Sequence, residues 1–73
     1  MRDKYLIHTV YNVTRNLTLL NNHANKEDIL KHTKIAGSND GREYTENQII
    51  KCINYLENNR KLIQIRKNQY EVM

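Results

Sequence analysis

Residues 45–72, TENQIIKCINYLENNRKLIQIRKNQYEV, constrain this chain more than any other stretch, because a capped amphipathic helix is followed almost at once by two short strands. Thr45 stands three residues before Gln48. At that spacing the Thr hydroxyl accepts the Gln amide N–H while the Gln side chain reaches back to the Thr amide. Ile49, Cys52, Ile53 and Leu56 recur at helical intervals, which predicts a helix from Glu46 to about Asn59 with one apolar side. Leu62 to Arg66 is rich in β-formers, Lys67 to Gln69 is polar, and Tyr70 to Met73 turns apolar again, so a hairpin with Asn68 in its turn is expected. Alternation puts Ile63 and Ile65 on one face of the first strand and Leu62, Gln64 and Arg66 on the other, with Tyr70 and Val72 pairing with one of them. No glycine stands at the helix–strand joint, where Arg60 and Lys61 lie, so Asn58 or Asn59 is expected to supply the left-handed residue there.

Upstream, Leu6, Val10, Val13, Leu17 and Leu20 form a stripe at alternating spacings of four and three, widened by Ile7 and Tyr11. They predict a long first helix from Asp3 to about Leu20, closed at Asn21–Asn22. Its apolar side belongs under the rest of the fold, and the same helix could pair with a second copy through Ile7, Tyr11 and their neighbours. Asn25 is the expected N-cap of a second helix, with Glu27 and Asp28 in the first turn where the helix dipole favours acid. Ile29, Leu30 and Thr33 should face inward, with Ile35 and Ala36 as further candidates, and the helix should stop at Gly37. Residues 37–44, GSNDGREY, then read as a loop in which Arg42 and Tyr44 could touch a ligand. The predicted class is α+β: three helices and a terminal hairpin in one domain.

Size and charge narrow the function. At 73 residues the core is limited to about a dozen apolar side chains, and marginal stability is expected. Cys52 is the only cysteine, so no disulfide framework is available; on the apolar side of a helix it reads as a buried small hydrophobe, and the cysteine usage fits an intracellular setting. Met1 to Tyr5 carries charges of both signs, unlike a signal peptide, and no apolar run is long enough to span a bilayer. The net charge of +4 permits a polyanionic partner. His8, His23, His32 and Cys52 show no metal-binding spacing, neither glycine sits in a phosphate-cradling motif, and no nucleophile–base constellation stands out. No enzyme, metal or cofactor is therefore expected.

The capped TENQIIKCINYLENN and the terminal LIQIRKNQYEV, taken with the helices before them, resemble the winged-helix superfamily. The resemblance implies a three-helix bundle with a β-hairpin wing, and most often double-stranded DNA binding in transcription control or replication. In that reading the third helix enters the groove. With its apolar residues inside, the outward positions are Asn47, Gln48, Lys51, Asn54, Tyr55 and Asn58; Asn and Gln can pair bidentately with adenine, and Lys can reach guanine or phosphate. Arg66 and Lys67 would hold phosphates or the minor groove from the wing tip, with Arg15, Lys31 and Lys34 as further backbone contacts. A narrower likeness, carried by Arg2, Tyr5-Leu6-Ile7 and IIKCINYL, is to the C-terminal winged-helix domain of cullins. It implies a scaffold role in ubiquitin ligation with an acceptor lysine on the first helix, a place that Asn16 occupies here. Replicative helicase subunits and a winged helix of the single-strand-binding protein A family share a similar rhythm. The alternative to a DNA reader is thus a protein-interaction module in a larger assembly.

Overall fold

The computed structural model describes residues 3–73; Met1 and Arg2, the latter part of the cullin likeness, lie outside the described residues. The elements are α1 (Lys4–Asn21), β1 (Ala24–Asn25), α2 (Lys26–Asn39), α3 (Glu46–Asn58), β2 (Leu62–Arg66) and β3 (Gln69–Val72). The three strands form one antiparallel sheet in the order β1-β3-β2. The result is a small α+β domain whose layout is compatible with a winged helix.

Asp3 caps α1 by accepting the Leu6 amide at 3.0 Å, and Asn22 closes it in the left-handed region at φ 68°. The buried line along α1 is Leu6, Val10, Thr14 and Leu17. Leu20, expected inside, is 80% exposed, and Thr14, which the stripe passed over, is buried in the line. Burying Thr14 is cheap, since its hydroxyl donates to the Val10 carbonyl at 2.8 Å. Around this line the core gathers Ala24, Ile29, Ile49, Cys52, Ile53, Leu56, Leu62 and Tyr70. Ile7 and Tyr11 are half-buried against it.

Strand β1 was not expected. Its two residues pair with the far edge of β3, Ala24 opposite Tyr70 and Asn25 opposite Gln69. Asn25 is the N-cap of α2 as predicted, yet its side chain makes no capping bond. The first amide of α2 is satisfied elsewhere: Lys26 N–H donates to the Asn68 carbonyl in the hairpin turn at 2.8 Å.

Helix α2 does not stop at Gly37 but continues to Asn39, shortening the following loop. Gly37 is a packing residue: a Cβ there would meet the Tyr44 ring at 2.7 Å. Tyr44, immediately before the Thr45 N-cap, packs against the core through that gap. On the same face of α2 Thr33 is fully buried, whereas Ile35 points outward and is 49% exposed, and Ala36 is half-buried. The Thr33 and Tyr44 hydroxyls make no hydrogen bond to any described residue.

At the end of α3 the left-handed residue is Arg60 (φ 59°), not Asn58 or Asn59. Two amides close the helix there, Arg60 N–H donating to the Glu57 carbonyl at 3.1 Å and Lys61 N–H to the Leu56 carbonyl at 2.8 Å. Asn59 stands one residue and Asn58 two residues too early for this double closure.

Two substitutions separate packing from propensity. Gly37→Ala improves intrinsic helix propensity by about 1 kcal/mol, but crowding the Tyr44 ring costs about 1–3 kcal/mol, so a lower midpoint in urea denaturation is expected. Thr33→Val removes an unpaired buried hydroxyl at constant shape, and should stabilise the domain by about 1 kcal/mol in the same assay.

Candidate nucleic-acid interface

The face of α3 is fixed from its first turn. Thr45 Oγ1 accepts from Gln48 N–H at 3.2 Å and Thr45 N–H donates to Gln48 Oε1 at 2.8 Å, completing the expected capping box. With Ile49, Cys52, Ile53 and Leu56 held in the core, Asn47, Gln48, Lys51, Asn54, Tyr55 and Asn58 are all exposed. Their spacing places them together along the outer side of the helix. One of them is chemically compromised. Gln48 commits its side-chain oxygen to the cap, so only its amide NH₂ is free and a bidentate pair with adenine would break the box. Asn47, Asn54 and Asn58 retain both functions; the neighbouring Asn59 donates its amide to the Tyr55 carbonyl at 2.7 Å.

The hairpin places its two cations differently from each other. Gln64 pairs with Tyr70 and Arg66 pairs with Gln69, leaving Ile65 as an extra residue in β2. Adjacent residues of β3 point to opposite faces, so this bulge moves Arg66 off the Leu62–Gln64 face predicted for it. Arg66 therefore shares the outer face of the sheet with Ile63 and Glu71. Lys67 and Asn68 form the turn, with Asn68 left-handed at φ 62°. Lys67 lines a shallow concavity of about 390 Å³ with Lys26, Glu27 and Asp28 of α2, and no α3 side chain borders it. The hairpin tip is thus a mixed-charge surface held flush against α2.

Other candidates are engaged within the fold. Lys34 approaches Glu46 at 3.6 Å, tying α2 to the first turn of α3 at an exposed site. Arg42 lies over the Tyr5 ring with its guanidinium carbon 3.9 Å from the centroid, pinning the loop to the start of α1. Sequence reasoning missed Lys26, whose side chain joins Lys67 because β1 brings the start of α2 to the turn. A two-residue strand leaves no pattern by which that could be foreseen.

Cys52 lies in the core behind this face, and burial, assisted by the charge of Asp3, pushes its thiol up to about 12. Burial likewise raises Tyr70, with Glu57 adding to the effect. Among the described residues no three His, Cys, Asp or Glu side chains gather to hold a metal ion, and no helix is long and apolar enough to cross a membrane. No family model, curated protein or solved structure matches the chain.

The thiol gives stability a defined alkaline dependence. Its folded pKa is raised above the unfolded value near 8.5, so the unfolded chain loses the proton first. The contribution of Cys52 is fully present below about pH 8.5 and is lost as pH climbs toward 12, at about 1.4 kcal/mol per pH unit. Urea midpoints between pH 7 and 11 should fall more steeply for the native chain than for Cys52→Ala, which lacks the thiol's part of the slope.

Proposed function

We propose that this chain is a winged helix-turn-helix domain that binds double-stranded DNA within the cell, in transcription regulation or replication, without catalysis of its own. The observation that carries the reading is the arrangement of a capped α3, polar along its whole outer side, joined directly to a hairpin whose central strand also pairs with β1. In this reading Asn47, Asn54 and Asn58 contact base edges, Lys51 reaches guanine or phosphate, and Tyr55 packs on sugar or a thymine methyl. Gln48 donates a single hydrogen bond while its oxygen stays in the cap. Arg66 and Lys67 hold flanking backbone.

Electrostatics makes this a modest binder. The outer side of α3 carries one lysine, and Glu27 and Asp28 flank Lys67 at the turn. Two phosphate contacts, from Arg66 and Lys67, predict that log K against log salt falls with a slope of roughly −2.

A second reading is favoured by apolar side chains left in solvent. Leu19 and Leu20 on α1 are 72% and 80% exposed, and Ile63 and Ile65 on the sheet are 45% and 41% exposed. Such residues suit a winged helix used to bind protein in a larger assembly, such as a ligase scaffold or a replication factor.

Fluorescence anisotropy with a mixed-sequence duplex between 50 and 200 mM salt decides between them. The DNA reading expects the slope above, a relaxed base preference for Lys51→Ala, and a uniform loss across sequences for Lys67→Ala. An affinity that does not respond to salt rejects it.

A further inference from the structure

Two lysines and a histidine rim an apolar groove between the first half of α1 and the joint that leads from α3 into β2. The groove is open, has a volume of about 420 Å³, and is lined by Lys4, Ile7, His8, Tyr11, Leu56 and Lys61. The four residues from α1 stand at i, i+3, i+4 and i+7, so they share one side of that helix. Leu56 is buried and forms the floor, Ile7 and Tyr11 are half-buried, and Lys4, His8 and Lys61 are exposed. Lys61 is fixed above the floor by its backbone, its N–H donating to the Leu56 carbonyl at 2.8 Å and its carbonyl accepting from Met73.

We propose that this groove docks a short acidic segment of another protein. An apolar side chain of that segment enters between Ile7, Tyr11 and Leu56, and carboxylates on either side of it meet Lys4 and Lys61. Charge selects the partner. No aspartate or glutamate lines the groove, whereas the cleft at the hairpin turn contains Glu27 and Asp28, and the one between α2 and α3 contains Glu27 and Glu46. Among the described residues the ion pair is Lys34 with Glu46, so neither Lys4 nor Lys61 has a carboxylate partner within the fold. Both are free to pair with a ligand.

Other occupants fit less well. A second copy, the partner expected for this helix from its sequence, would bring Lys4, His8 and Lys61 against basic groups of its own kind on a chain of net charge +4. A nucleic-acid backbone would satisfy the lysines but leave Ile7, Tyr11 and the Leu56 floor without an apolar partner. A single small carboxylate has one charge, while the two lysines lie on different walls, Lys4 on α1 and Lys61 at the joint. A peptide with acid on both sides of one apolar anchor answers all three demands, and an apolar anchor in a pocket with charges at its rim is the usual economy of such contacts. None of the six residues belongs to the outer side of α3, to the hairpin, or to the exposed leucines and isoleucines of the protein-binding reading. The groove therefore stands or fails apart from both functional readings.

The test uses the whole chain, labelled with nitrogen-15, and a synthetic peptide carrying one central leucine between pairs of glutamates. Titration should shift the amide signals of Ile7, His8, Tyr11, Leu56 and Lys61 together, with saturation in the range of about 10–500 µM expected of a short segment. Lys4→Glu and Lys61→Glu should each weaken binding at least about 10-fold, since like charges then face each other across the contact. Both side chains are exposed, so the circular dichroism and melting temperature of these variants should match the native chain. Lys31→Glu makes the same charge change outside the groove and should weaken binding far less. Replacing the peptide's leucine by serine, or its glutamates by glutamines, should abolish saturation. No saturation by the native peptide overturns the proposal, as does equal binding of the serine peptide, or an equal loss from Lys31→Glu, which would reduce the effect to unspecific charge attraction. Phosphatidylserine vesicles that displace the peptide and depend on the same two lysines would overturn it in favour of a membrane surface.

Discussion

The pairing of Ala24 and Asn25 with Tyr70 and Gln69 is the contact on which the domain closes. Without it β3 would have one neighbour, the hairpin would hang from the end of α3, and the first amide of α2 would lose the Asn68 carbonyl. A two-stranded hairpin is barely stable in water by itself. Three strands laid over a helix layer are stable, and here the third strand is only two residues long. Its brevity suffices because α2 begins at the next residue and is anchored to the same turn. Tyr70, central in the sheet and buried, then carries the hydrophobic joint between the strands and α1.

That closure also shapes the candidate interface. Pairing β3 on both sides, as far as Gln69, ties the hairpin to the body almost up to its turn. Lys67 is consequently set beside the acidic first turn of α2 instead of standing clear of the body. The bulge at Ile65 turns Arg66 to the opposite face from Gln64, so the two basic residues of the tip serve different surfaces. A positive surface shared by α3 and the hairpin is therefore less concentrated than the order of residues along the chain suggests.

The helices were legible wherever periodicity and a cap agreed. Thr45 and Gln48 fixed the start of α3, its four apolar residues fixed which side is buried, and Asn22 closed α1 as read. The polar side of α3 followed from the same period. Where the reading failed, local chemistry was ambiguous. Thr14 was not part of the apolar stripe, but a helical threonine returns its hydroxyl to the preceding turn and can be buried. Gly37 looked like a stop, yet its missing side chain admits Tyr44, a contact fixed only when the loop folds back. Arg60 took a conformation that two nearby asparagines seemed better suited to, because the hydrogen-bonded closure selects a position and not a residue type. The bulge and β1 are properties of pairing across the chain, which no local pattern encodes.

The joint between α3 and β2 leaves no slack. Arg60 and Lys61 are both spent closing the helix, and Lys61 also accepts the Met73 amide across the sheet at 3.0 Å. The end of the helix and the first pair of strand residues are therefore held by one continuous set of backbone hydrogen bonds. A surface that engaged both elements would meet them in the relative orientation that these bonds set.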